Sequence, residues 1–148
     1  MHMVPFENTS PMSSRLHDYG SPARNDSNRR PGHPGHPGLS GAAQRRISEF
    51  IERNISERFT LSDLADAACM SRFHFARMFR RTFGISPMEY VLRARIERAK
   101  PMLLARGPSV ADVAATFGFC DQSHFTRSFR RITGCSPRQF VTGRIRAA

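Results

Sequence analysis

Tryptophan is absent from this chain, lysine occurs once, at Lys100, and tyrosine twice, at Tyr19 and Tyr90. Acidic residues are scarce as well: 12 Asp and Glu stand against 23 Lys and Arg, for a formal net charge of +11. No apolar run approaches the ~18 residues that read as a membrane span. The N-terminus has no basic stretch followed by an apolar core, so it does not read as a signal peptide. Three cysteines occur, Cys69, Cys120 and Cys135, with no CxxC and no Cys/His ligand spacing. A disulfide framework prefers an even count and a secretory context, and neither is found. The expectation is a cytoplasmic protein with no metal, no cofactor and no membrane partner. No alternating strand pattern occurs from residue 41 onward, so the fold class expected is all-α.

What the chain does have is arginine. Residues 41–148 hold 19 Arg and Lys against 9 Asp and Glu, an excess of 10 that accounts for nearly all of the net charge. Codon bias in a GC-rich genome accounts for Arg over Lys, but not for the surplus of positive charge. Arginine offers a planar fork of donors suited to phosphate and to guanine edges. Nucleic acid is the partner such a balance points to.

One stretch organises the rest: Ser71–Pro87, SRFHFARMFRRTFGISP. At about 100° per residue, Phe75, Met78, Phe79 and Thr82 share one side. Arg72, Phe73, Ala76, Arg77 and Arg80 take the other. Ser71 is the expected N-cap, its hydroxyl accepting a backbone N–H, and Gly84 the left-handed residue that ends the helix. Fifty residues later the pattern returns as Asp121–Pro137, DQSHFTRSFRRITGCSP. Nine identities in register, from His74/His124 to Pro87/Pro137 and including both glycine stops, indicate two copies of one helical module.

Each copy is preceded by a short helix with a capping start, Thr60-Leu61-Ser62-Asp63 and Ser109-Val110-Ala111-Asp112. Short helix, tight turn and longer helix match the helix-turn-helix plan. Ile47, Phe50 and Ile51 make an apolar stripe before the first copy, with Phe59 anchoring the connection. Ser86-Pro87 opens a linker helix running to about Ala105, with Arg93, Arg95, Arg98 and Lys100 on its exposed side. Pro101 within it is expected to bend or split the helix near Lys100. Residues 1–40 are rich in Pro, Ser, Asn and Gly and read as a disordered leader. His33 and His36 there lack further ligands for a metal. The division expected is therefore a 1–40 leader and a 41–148 domain. That domain comprises a first helix-turn-helix (41–86), a linker helix (87–106) and a second helix-turn-helix (107–148), about seven helices in all.

These residues resemble the DNA-binding region of the AraC/XylS family of bacterial transcription regulators. The most specific stretch is Val113-Ala114, Phe117-Gly118-Phe119, Ser123-His124-Phe125, Phe129-Arg130-Arg131 and Gly134-Cys135-Ser136-Pro137. It is similar to the family signature IA…GF…S.F…FK…G.SP at nearly every diagnostic position, and residues 42–142 cover the whole region. The resemblance implies two helix-turn-helix subdomains joined by a long linker helix. It also implies sequence-specific binding of double-stranded DNA, transcription regulation (as activator or repressor) and no enzymatic activity. RNA polymerase is a further candidate partner. The chain departs from the family pattern in carrying only the polar leader where an effector-binding or dimerisation domain is usual, so a monomer is expected.

A recognition helix sets side chains on base edges, with phosphate contacts flanking. The base-contact candidates are Arg72, Phe73, Ala76 and Arg77 in the first copy and Gln122, Ser123, Thr126 and Arg127 in the second. Arg77 and Arg127 suit guanine O6/N7, Gln122 suits adenine N6/N7, and Phe73 suits a thymine methyl. The phosphate candidates are Arg46, Arg80, Arg81, Arg130, Arg131 and Arg138. His74 and His124 are expected to pack their rings and hydrogen-bond locally. Recognition helices roughly 34 Å apart would enter successive major grooves. Because the two faces differ, the site read should be asymmetric. Two other readings stay open: a nonspecific or architectural nucleic-acid binder, and the DNA-binding module of a repair protein with a methyl-accepting cysteine.

Overall fold

The structure, a computed structural model, describes residues 38–105 and 107–146. Residues 1–37 of the leader, with His33 and His36, lie outside the described residues, as do Arg106, residues 147–148 and the side chains of residues 144–146. Every element among the described residues is an α-helix. In chain order they are α1 (Gly41–Asn54), α2 (Leu61–Ala67), α3 (Arg72–Phe83), α4 (Pro87–Leu104), α5 (Val110–Thr116), α6 (Gln122–Thr133) and α7 (Pro137–Arg146).

The helix starts follow local chemistry. Thr60 and Ser109 each form a full capping box with the aspartate three residues on, Asp63 and Asp112. Ser86 accepts from the Glu89 N–H, with Pro87 in the first turn of α4, where a missing N–H is no loss. The α3 and α6 helices are both 12 residues long and both stop at a left-handed glycine, Gly84 and Gly134. Two local details differ from the sequence expectation. The Ser71 hydroxyl makes no capping bond, whereas Asp121 at the equivalent position accepts from the His124 N–H. The linker helix is also unbroken through Pro101. Pro101 lies in the last turn, where it costs only the one bond to the Glu97 carbonyl.

Leu39 is buried beside α1, its N–H donating to Thr82 Oγ1 (2.8 Å), and Ser40 caps α1. Leu39 and Ser40, within the expected 1–40 leader, thus belong to the packing and capping of α1.

Two cores form, one per copy. The first gathers Ile47, Ile51, Leu64, Phe75, Phe79, Tyr90 and Val91; the second gathers Ile96, Leu103, Val113, Phe125 and Phe129. In each, phenylalanines four apart pack with centroids 5.6 Å apart, Phe75 and Phe79 edge-on and Phe125 and Phe129 tilted. The division falls inside α4, between Ala94 and Ile96. This helix packs against α2 and α3 of the first half and against α5, α6 and α7 of the second.

The tight turns are built alike. The Met70 N–H returns to the Ala65 carbonyl (2.9 Å) and the Phe119 N–H to that of Ala114 (3.0 Å). Both turns need a left-handed residue, supplied by Gly118 (φ 68°) in the second copy and Cys69 (φ 57°) in the first. A side chain in that region costs about 1–2 kcal/mol, partly offset because glycine has more unfolded-state entropy to lose. Cys69→Gly is therefore expected to stabilise the protein by about 0.5–1 kcal/mol, read as a rise in urea midpoint at unchanged slope.

Candidate nucleic-acid interface

The outward side of α3 carries Arg72, Phe73, Arg77 and Arg80 exposed, with Ala76 half-buried between them. Phe73 is 80% exposed, while Phe75, two residues on, is fully buried. The Arg72 guanidinium lies 5.3 Å from the centroid of the Phe73 ring, a cation–π pair standing on the surface. On α6, Gln122, Ser123, Arg127 and Arg130 are exposed and Thr126 is half-buried. The two copies thus place equivalent positions at equivalent exposure. Buried phenylalanines on one side of each helix leave the other side to polar and basic groups.

Gln122, Thr126 and Arg138 are brought together across a small recess lined also by Val110, Ser136 and Pro137. Arg138 reaches this place because α7 starts at the Ser136-Pro137 cap. There the Ser136 N–H donates to Gln139 Oε1 (2.9 Å) and Ser136 Oγ accepts from the Gln139 N–H (3.3 Å). Arg46 is exposed on α1 and donates through Nη2 to the Ala68 carbonyl (3.3 Å) at the end of α2. Arg81 is exposed near the end of α3.

Several predicted groups stand differently from the expectation. Arg131 donates through Nη1 and Nη2 to both oxygens of Glu89 (3.1 and 2.8 Å), a fork-to-fork pair across the two halves of the chain. Two of its five N–H donors are thus held by a carboxylate. Arg95 is half-buried rather than on the exposed side of α4. Its Nε donates to the Ile55 carbonyl (3.1 Å), its Nη2 donates to the Glu57 carbonyl, and its guanidinium sits 5.2 Å from the Phe59 centroid. Burial, and then the neighbouring Arg58 charge, push the Arg95 pKa down. Finally, His124 packs edge-on to Phe119 with centroids 5.4 Å apart, yet its buried Nδ1 has no hydrogen-bond partner. His74 is exposed.

Glu89 also accepts from Arg93 Nε (3.1 Å). The Arg131 hydrogen bonds foremost, then Arg93, hold its carboxyl below the usual carboxylate range against the opposing effect of burial. A carboxyl whose folded pKa is depressed stabilises the fold fully above its unfolded value, about 4.3. That share disappears as pH falls through the lower folded value. Glu89→Gln is therefore expected to flatten the acid side of the stability–pH curve below about pH 4.3 while leaving the curve's shape at neutral pH unchanged, by urea titrations across pH 2–7.

Residues 64–143 match the model of a helix-turn-helix domain family, more than half of the 148-residue chain. The chain belongs to the AraC/XylS family of transcription regulators. The AraC-type domain is similar to the DNA-binding domain of AdpA, a global transcriptional factor solved in complex with a target DNA. That likeness has a TM-score of 0.66 at 30% identity, over 72% of this chain and 96% of that one. It is also similar to an AraC-type regulator from Chromobacterium violaceum, with TM-score 0.64 and 26% identity over 69% of this chain and 91% of that one. Among curated relatives, the bifunctional transcriptional activator/DNA repair enzyme AdaA of Bacillus subtilis is 33% identical over 75 residues, 51% of this chain and 36% of that protein. The virulence regulon transcriptional activator VirF of Yersinia enterocolitica is 36% identical over 85 residues, 57% of this chain and 31% of VirF. The chain thus spans about a third of the length of these curated relatives.

Among the described residues no helix is long and apolar enough to cross a membrane, and no three His, Cys, Asp or Glu residues come together as a metal site.

Proposed function

We propose that this AraC-type domain is a sequence-specific double-stranded DNA-binding transcription regulator that inserts α3 and α6 into successive major grooves of one asymmetric site. One observation carries the reading. Two equal helices, each anchored by fully buried phenylalanines, present exposed side chains of base-reading type at matching positions. Arg72, Phe73, Ala76 and Arg77 read one groove, and Gln122, Ser123, Thr126 and Arg127 read the other. Arg46, Arg80, Arg81, Arg130 and Arg138 take flanking phosphates. An 80% exposed phenylalanine amid arginines is what a thymine-methyl contact requires and what a merely solvated helix face does not. The difference between the two faces gives the site its asymmetry.

Selection of bound sites from random duplex DNA, followed by footprinting, tests this. The expected result is an asymmetric footprint covering two major-groove segments, with specific duplex preferred about a thousandfold or more over unrelated duplex. Equal binding to all duplexes would make the protein a nonspecific or architectural binder. Methyl transfer from methylated DNA to Cys69, Cys120 or Cys135 would point to the repair reading instead.

Arg127→Ala separates base reading from charge. It is expected to cost about 1–3 kcal/mol on the selected site and to relax preference at one base pair. On random duplex its loss should be much smaller. The readout is competition binding on both duplexes, and equal losses would remove Arg127 from base contact.

A further inference from the structure

The two cores meet at Arg95, which lies between the last α4 residue of the first core, Ala94, and the first of the second, Ile96. Arg95 fastens to the first half, donating to the Ile55 and Glu57 carbonyls in the turn between α1 and α2. The second half closes on the same spot through Gly118. A Cβ on Gly118 would stand 3.2 Å from the Ser56 carbonyl oxygen, 3.3 Å from that of Glu57 and 3.4 Å from Arg95 Nη2. The turn leading into α6 therefore rests backbone-to-backbone on the turn leading into α2, over the Arg95 guanidinium. A second bridge is made by Arg131 of α6 to Glu89, whose segment of α4 belongs to the first core.

Glu89 and Arg95 are six residues apart, so they leave α4 about 9 Å apart along its axis and on faces about 120° apart around it. Two grips so placed oppose both swinging and twisting of one half against the other. Neither grip is a member of either core, each of which is closed by its own phenylalanines.

We propose that Arg95 with Gly118, and Glu89 with Arg131, set the separation of the two recognition helices, and so determine which half-site spacing the protein accepts. Arg95, Gly118 and Glu89 are positioning residues that act through α3 and α6 and touch no base. This rests on the two-groove reading above. Rigid linkage is what turns the second groove contact into an intramolecular event with a high effective concentration, and only at the spacing the linkage permits.

The test uses the full chain. Cys69 and Cys120 are exposed, one at each turn, and accept nitroxide labels in a Cys135→Ser background. Double electron–electron resonance then reads the distance between the turns without DNA. The parent should give one narrow distribution, and Glu89→Gln/Gly118→Ala a clearly wider one. On the duplex selected from random DNA, inserting about five base pairs between the half-sites should weaken the parent about a hundredfold and the double variant about tenfold or less. Affinity for a duplex with a single half-site should be equal in both, which a general loss of structure would not allow. Glu89→Gln alone removes one ion pair from a partly exposed side chain, and should widen the distribution in the same direction if the double variant fails to fold. Unchanged distances and an unchanged insertion penalty overturn the inference and leave the two-groove reading standing. A parent indifferent to the insertion, with a narrow distance distribution, overturns the two-groove reading instead.

Discussion

Raising salt from about 50 to 200 mM is expected to weaken binding of the selected duplex by about 500-fold. Each phosphate neutralised by an arginine releases condensed counterions, and the gain from that release shrinks as bulk salt rises. Five arginines are assigned to phosphates, Arg46, Arg80, Arg81, Arg130 and Arg138, which at about −0.9 per phosphate gives a slope of about −4.5. The measurement is the slope of log affinity against log salt. Arg130→Ala should lower the magnitude of that slope by about one and weaken all duplexes alike. Arg131→Ala should lower it by less, because its guanidinium is already paired with Glu89. The Arg131 side chain is 56% exposed, so its pairing and not its burial makes the difference. A slope near zero would remove phosphate contact as the source of affinity.

Phe129→Ala is expected to destabilise the protein by about 3–5 kcal/mol. Phe129 is fully buried, 5.6 Å from the Phe125 ring and 5.5 Å from Phe140, so truncation leaves a void bounded by two rings that cannot both collapse into it. Small domains are stable by only about 5–15 kcal/mol, so this is a large fraction of the whole. Because the cores divide within α4, the loss should concentrate in α5–α7. Hydrogen exchange should therefore report faster opening of α6 amides, with those of α3 less affected. Equal acceleration in both halves would mean that the two cores open as one cooperative unit. Phe79→Ala is the mirrored test, with Phe75, Phe83 and Tyr90 as the surrounding rings.

The seven helices of the described residues, the duplication and the outward faces of α3 and α6 were legible in the sequence because each is a local property. A helical period places Phe75 and Arg77 on different sides of one helix without reference to the rest of the chain. A capping box uses residues three apart, and a glycine stop uses one backbone torsion. Signals of that range survive being read one segment at a time. The unbroken passage of α4 through Pro101 was less legible, since the cost of a proline depends on how many carbonyls follow it before the helix ends.

Arg95 and Glu89 show what local signals miss. On a helical wheel both are ordinary polar residues of a linker helix, and Arg95 reads as exposed. The groups that bind Arg95 lie about 40 positions away, at Ile55 and Glu57, and, besides its neighbour Arg93, Glu89 has a partner 42 positions away, at Arg131. The packing of α4 against both halves brings those groups together. By itself the sequence determined that this protein is a pair of arginine-faced helix-turn-helix units. Only the tertiary structure decided which charges tie the units to each other and which remain turned to solvent. The reason is that a hydrogen bond depends on where the chain returns in space, and no period or spacing within a segment records that.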